Sequence, residues 1–142
     1  MQMSDWTNSI LTGDAREQLR DLPESSVHMC MTSPPYYGLR DYGVDGQIGL
    51  EETLDEYINR LVRVGDDLRR VLRDDGSWWL NLGDSYAGGG GMSGVPDNYD
   101  SKSANHSQDE QPESSPLQSS NLGRKNKMLV PHRVAIALQS NG

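Results

Sequence analysis

The sequence predicts an α/β fold with a mainly parallel sheet and flanking helices, and three observations predict it. The short apolar run Val27 to Thr32 reads as a strand. After Thr53, the residues Leu54, Tyr57, Ile58, Leu61, Val64, Leu68, Val71 and Leu72 recur at three- and four-residue intervals, the stripe of an amphipathic helix. The run Ser77 to Leu82 then has few polar residues, as expected of a strand buried on both faces by helices. Alternation of this kind points to parallel strands joined by right-handed crossovers.

Taken in order, Asn8-Ser9-Ile10-Leu11 reads as a short strand. Asp14 is placed to cap a helix, with Glu17 at the reciprocal capping-box position and Leu19 and Leu22 on one apolar side. That helix ends before Pro23. The strand Val27–Thr32 stops at two prolines. Residues 37–52 form a loop rich in Gly, Asp and Tyr, and Thr53 with Glu56 makes a second capping box. Glu51, Glu52 and Asp55 favour the same helix N-terminus. Arg69, Arg70 and Arg73 are expected in the last turn, with Asp74-Asp75-Gly76 stopping the helix. Trp78 and Trp79 read as sheet packing. Near the end, Leu129-Val130-Pro131 opens a helix whose apolar side is Val134, Ala135 and Leu138.

The domain organisation that follows is an α/β subdomain over 1–86, a flexible low-complexity linker or insertion over 87–122, and a helical segment of the same domain over 123–142. The middle stretch is rich in Gly, Ser, Asn, Asp, Gln and Pro and offers almost nothing to bury. Its run of glycines lacks the G-K-[S/T] of a phosphate loop.

Bulk properties set limits. With 142 residues, 34% of them hydrophobic, and a mean hydropathy of −0.73, the chain suits one domain with a modest core. It has no apolar run long enough to span a membrane and no charged-then-apolar leader. Cys30, the single cysteine, excludes an intrachain disulfide and reads as a small buried hydrophobe, so a cytoplasmic setting is expected. His28, His106 and His132 have no metal-ligand spacing, and no metal is expected. The formal net charge of −8 argues against a generic nucleic-acid binder. Ten arginines against three lysines could still be gathered on one face.

The most distinctive local feature is Ser33-Pro34-Pro35-Tyr36, directly after the strand. The residue before a proline is pushed to extended backbone, so Ser33 and Pro34 are both extended. Each proline has a fixed φ and presents only a carbonyl acceptor. A stiff corner results, aiming a hydroxyl oxygen and a carbonyl outward beside an aromatic ring. That combination suits a planar group bearing an NH2: two acceptors take its N–H bonds while the ring covers its π-face.

The stretch TSPPYYGLRDYG, residues 32–43, closely resembles the catalytic motif of DNA amino-methyltransferases, whose pattern is [S/N/D]-P-P-[Y/F/W]. The resemblance extends over residues 8–87 closely and 123–142 more loosely. It implies a partial Rossmann-like methyltransferase fold, S-adenosylmethionine as cofactor, double-stranded DNA as partner, and methylation of an exocyclic amino group on a flipped base, as in restriction-modification systems. The serine form of the motif favours cytosine N4, although some adenine-N6 enzymes share it. Ser33, Pro34, Pro35 and Tyr36 are then the catalytic residues. Tyr37, Arg40, Tyr42 and Asn81 are candidates for binding substrate, with Arg40 suited to a phosphate. Asp14 and Asp84 are candidates near the cofactor.

Enzymes with this motif order carry a recognition region and a glycine-rich F-x-G-x-G cofactor loop later in the chain. No such loop occurs in these residues, which contain no phenylalanine. The expectation is therefore an N-terminal, catalytic-motif portion, truncated or split, completed by a C-terminal half or a second chain. The competing reading is a non-catalytic DNA- or protein-interaction remnant of the same fold.

Overall fold

The computed structural model describes residues 7–87, 122–123 and 125–142. In chain order they form α1 (Ala15–Asp21), β1 (Val27–Thr32), α2 (Leu54–Val71), β2 (Leu72–Leu80) and α3 (Val130–Asn141). β1 and β2 are parallel neighbours in a two-stranded sheet, so the α/β class and the strand direction follow the sequence pattern. The chain divides into two compact units. One comprises Met1–Pro34, Ile58–Leu82 and Arg133–Gly142; the other comprises Pro35–Tyr57 and Gly83–His132.

In the first unit, Asp14 caps α1 with extended backbone and accepts from the Arg16 amide at 2.9 Å. The expected reciprocal bond to the Glu17 side chain is not made; the Asp14 carboxylate is instead also held by the Arg16 guanidinium, whose Nε lies 3.0 and 3.2 Å from its two oxygens. At the other end of α1, the Arg70 guanidinium donates to the carbonyls of Leu22 at 3.0 Å and Leu19 at 2.6 Å. It thereby satisfies acceptors that a helix C-terminus leaves open. The strand expected at Asn8–Leu11 does not form. Ile10 is 93% exposed, so no burial offsets the entropy of ordering those residues.

The β1–β2 ladder begins before α2 has unwound, with Ser25 and Ser26 amides donating to the Arg70 and Val71 carbonyls at 3.0 and 2.8 Å. Val27 pairs with Leu72, but Met29 pairs with Ser77, so the residues between Leu72 and Ser77 loop out of register. Arg73 thus lies in β2 rather than in the last helical turn, and Asp74-Asp75-Gly76 belongs to this bulge. Arg73 is instead paired with Asp75 at 3.0 Å. β2 ends at Leu80, not Leu82.

Alternation along both strands splits the sheet into two faces. Cys30, Thr32, Trp78 and Leu80 are half-buried on one. On the other, Met29, Met31 and Trp79 are 51%, 73% and 63% exposed, so the expected burial on both faces is not found. Burial pushes the Cys30 thiol upward, away from thiolate formation, as a packing role requires. The covered side receives α2: a methyl group at Gly65 would lie 3.4 Å from the Trp78 ring and only 2.7 Å from Leu138 of α3. A helix-interior glycine costs about 1 kcal/mol relative to alanine, and here it admits that close approach.

The second unit is built around two segments. The Thr53–Glu56 capping box forms as the sequence predicts: Glu56 N–H donates to Thr53 Oγ1 at 3.2 Å, and Thr53 N–H donates to Glu56 Oε2 at 3.3 Å. Glu51 does not decorate this terminus. It is buried and accepts from the Gly49 amide at 2.9 Å. In the other segment, residues 85–87 clasp residues 125–128 in antiparallel fashion. Met128 N–H donates to the Ser85 carbonyl, Ala87 N–H to Asn126, and Lys125 N–H to Ala87, at 2.9, 2.8 and 2.8 Å. Met128 and Ala87 are buried by this clasp. The stretch 87–122, expected to be a flexible linker, lies outside the described residues except for Ala87 and Leu122.

Both long helices bury the stripes that define them. Along α2 these are Leu54, Tyr57, Ile58, Leu61, Leu68 and Val71. Along α3 they are Val130 and Val134 with half-buried Leu138, whereas Ala135 turns outward.

Candidate active site

Parallel sheets present ligand sites at the carboxyl ends of their strands. In the first unit that edge carries Ser33 and Asn81, one residue beyond β1 and β2 respectively. The Asn81 amide donates to the Thr32 carbonyl at 2.9 Å, extending the ladder to the start of the motif. Thr32 Oγ1 accepts from the Trp78 indole at 2.8 Å, fixing the last β1 side chain toward the covered face. Ser33 and Asn81 are exposed, while Pro34 is half-buried. A cleft of about 410 Å³ in the same unit is lined by Gly65, Arg69, Gly76, Trp78 and Leu138. None of Ser33, Pro34 and Asn81 lines this cleft, so it is not the motif's binding site.

The second unit holds the rest of the motif. The Tyr57 hydroxyl donates to the Pro35 carbonyl at 2.9 Å. Tyr57 is fully buried, and burial, followed by the Glu51 charge and Tyr36, pushes its pKa far above the ordinary tyrosine value. It is therefore a permanent donor. Tyr37 packs on it with ring centroids 5.4 Å apart at 41°, and is only 3% exposed. Sequence reasoning placed Tyr37 among substrate-binding residues; its ring lies in the core beneath the motif.

Tyr36 is half-buried between two glycines. A methyl group at Gly83 would fall 2.6 Å from Tyr36 Cδ2 and 2.7 Å from Cε2, and one at Gly49 would fall 3.0 Å from the Tyr36 carbonyl and 3.3 Å from Pro35 Cβ. Gly49 also has a φ of +106°, which only glycine adopts without strain. Its carbonyl accepts from the Gly38 amide at 2.7 Å, closing the loop that follows the motif.

Within that loop Gln47 acts as a staple, donating to the Arg40 carbonyl at 2.9 Å and accepting from the Tyr42 amide at 2.7 Å. The Asp41 carboxylate accepts from the Gly43 amide. Arg40 and Tyr42 project into solvent, and the Arg40 guanidinium makes no ion pair among the described residues. Arg40 is a cation whose backbone is held by Gln47 and whose side chain is open to solvent.

The two candidate cofactor carboxylates are engaged elsewhere. Asp14 is held at a pKa of about 2, chiefly by the Arg16 guanidinium and then by the Arg16 amide. Asp84 Oδ1 accepts from the Ser85 amide at 2.9 Å and the Val130 amide at 3.0 Å, so it caps α3, and Lys127 Nζ stands 3.5 Å from Oδ2. Burial pushes the Asp84 carboxyl up, but the two amides and Lys127 outweigh it and the net shift is downward. Among the described residues no His, Cys, Asp and Glu cluster could hold a metal ion.

Tyr57, Gly49 and Gly83 are the site residues that sequence reasoning missed. Tyr57 was hidden in an apolar stripe; its signal was the hydroxyl, which a buried tyrosine must satisfy.

Comparison with known proteins gives the family. A family model described as DNA methylase matches residues 27–142, and the chain belongs to that family. It is 42% identical over 134 residues to the type II methyltransferase M.Cfr9I of Citrobacter freundii, covering 94% of this chain and 42% of that protein. With M.XycI of Xanthomonas campestris pv. cyanopsidis it shares 43% identity over 95% of this chain and 43% of the relative. With M.SmaI of Serratia marcescens the identity is 43%, over 94% of this chain and 43% of the relative. The chain thus spans less than half the length of these relatives. No solved structure matches. No helix among the described residues is long and apolar enough to cross a membrane.

Proposed function

We infer that this chain carries the base-holding portion of a cytoplasmic, site-specific DNA methyltransferase with a Rossmann-like core, acting on the exocyclic amino group of a flipped base. The observation that carries this is the contrast between the two prolines. The Pro35 carbonyl is occupied by Tyr57, whereas the Pro34 carbonyl accepts no hydrogen bond among the described residues and Ser33 beside it is exposed.

An aromatic amino group is a poor nucleophile because its lone pair is delocalised into the ring. Ser33 Oγ and the Pro34 carbonyl accept its two N–H bonds, hold the nitrogen in place, and stabilise positive charge developing on it. By analogy with a single oxyanion-hole donor, a preorganised group of this type is worth about 2.7–4 kcal/mol. Tyr36 stacks on the extruded base, Arg40 takes a backbone phosphate, and Tyr42 and Asn81 complete the substrate contacts. Tyr37 supports the motif from below.

The methyl donor is S-adenosylmethionine, which supplies an electrophilic methyl group when bound. The residues present do not by themselves make its site. Asp14 and Asp84 are engaged in capping, and no F-x-G-x-G loop occurs in the sequence. The donor is held chiefly by a further segment, joined in cis or supplied by a second chain. In this reading, residues 1–86 and 123–142 belong to one domain, interrupted by 87–122. The serine form of the motif supports cytosine N4.

The test is transfer of a labelled methyl group to double-stranded DNA by the chain alone and by the chain with the complementing segment, followed by nucleoside analysis. N4-methylcytosine formed only in the complemented sample is expected. N6-methyladenine as the product overturns the base assignment, and no transfer in either sample supports the non-catalytic remnant.

A further inference from the structure

Gly83 is not explained by its backbone. Its φ lies outside the left-handed region, so alanine would be conformationally acceptable there. What forbids a side chain is the Tyr36 ring, 2.6 and 2.7 Å from where a Cβ would sit. Carbon atoms attract best at about 3.5–4.0 Å, so a methyl at this position must displace the ring or the Gly83 backbone.

Neither yields easily. The next residue after Gly83 is Asp84, whose carboxylate is anchored at 3.0 Å to the first amide of α3. On the other side, Pro35 is pinned by the Tyr57 hydroxyl, and the Tyr36 carbonyl accepts from the Leu39 amide at 3.3 Å and abuts Gly49. With both backbones fixed, the soft coordinate is the orientation of the Tyr36 side chain.

We propose that Gly83 is a positioning residue: the missing side chain sets where the Tyr36 ring lies, and therefore where the target base stacks. This rests on the functional reading above, in which Tyr36 covers the base. A glycine at the strand exit thus controls catalysis without touching substrate, by leaving a slot for the ring that does.

The test is a double-mutant cycle of Gly83→Ala and Tyr36→Ala, made in the form of the protein that transfers methyl groups and in the 142-residue chain. A displacement of about 1 Å at a reacting group can cost about 100-fold, so Gly83→Ala is expected to lower kcat by roughly that factor with the KM for cofactor unchanged. In the Tyr36→Ala background, where the ring is gone, adding Gly83→Ala should cost nothing further. The denaturation midpoint of the chain should behave alike, falling with Gly83→Ala alone and recovering in the double variant. If Gly83→Ala alone does not fold, a cooperatively folding double variant supports the slot and an unfolded one refutes it. Equal loss from Gly83→Ala in both backgrounds, or wild-type kcat, overturns the proposal. Full transfer by Tyr36→Ala itself would instead remove the functional reading on which it rests.

Discussion

Tyr57 shows one hydroxyl deciding which of two adjacent carbonyls is occupied. Replacing it with phenylalanine keeps the ring against Tyr37 and removes the bond to Pro35. A net loss of about 0.5–1.5 kcal/mol is expected in chemical denaturation. Because its folded pKa is raised, its contribution is complete below the unfolded value of about 10 and is lost as pH rises toward the folded one. The Tyr57→Phe protein should therefore lack that alkaline component. At the motif itself, Ser33→Ala and Tyr36→Ala should each sharply lower methyl transfer, leaving a measurable residual rate in Tyr36→Ala, with the circular dichroism spectrum unchanged. Ser33 loses an acceptor; Tyr36 loses a stacking surface worth about 1–3 kcal/mol. A Ser33→Ala enzyme with wild-type kcat would remove the amino-group reading. The motif was legible because Ser-Pro-Pro-Tyr dictates its own backbone. Its supports were not, since the approach of Gly83 and Gly49 to the same tyrosine is set by tertiary packing that no local pattern encodes.

Capping chemistry accounts for what could and could not be read of the elements. Thr53 and Glu56 are each other's partners, so spacing alone located the start of α2. Asp14 was equally legible as a cap, but its carboxylate is held by the amide and guanidinium of Arg16, and the Glu17 half of the box does not form. Asp14→Ala should cost about 0.5–2 kcal/mol, as the loss of a helix cap does. The carboxyl is depressed from 3.8 to about 2, so its contribution is present above the unfolded value and fades as pH falls through that window. Asp14→Asn should keep the cap yet lose this acid dependence, which thermal melts across the window would reveal. The clasp of residues 85–87 on 125–128 was not legible, because its strands are too short to show alternation. It brings the ends of the intervening segment within hydrogen-bonding distance. Replacing 88–124 with a short turn should thus preserve the fold, with loop-closure entropy changing by only about 0.6 kcal/mol per halving of length. Loss of cooperative unfolding in that deletion would show that the segment contributes to packing.

For the molecule as a whole, parallel pairing and helix alternation were visible in the sequence, whereas the coverage of the sheet was not. The strand at Ser77–Leu82 was read as buried on both faces, yet one face of the sheet carries Met29, Met31 and Trp79 exposed. Which face is covered depends on elements distant in sequence, and the relatives extend well beyond the length matched here. The open face and the two strand edges that are unpaired among the described residues predict self-association of the 142-residue chain. Sedimentation should show concentration-dependent mass, and Met31→Glu should reduce it without unfolding the sheet. Calorimetry on the same chain should show cofactor binding far weaker than in the complemented protein. Micromolar binding by a stable monomer would contradict both the incomplete cofactor site and the role assigned to the missing segment.

Trp78 and Trp79 are neighbours in sequence but look out from opposite sides of the strand. One is half-buried with its indole bonded to Thr32; the other is open to water. Nature has in effect placed an internal reference and a probe on adjacent residues. In a Trp6→Phe background, which removes the third tryptophan, a collisional quencher such as iodide should reach Trp79 and largely spare Trp78. A partner or segment that docks on the open face should then shift the Trp79 emission to shorter wavelength and protect it from the quencher, so docking can be followed by light, without a label.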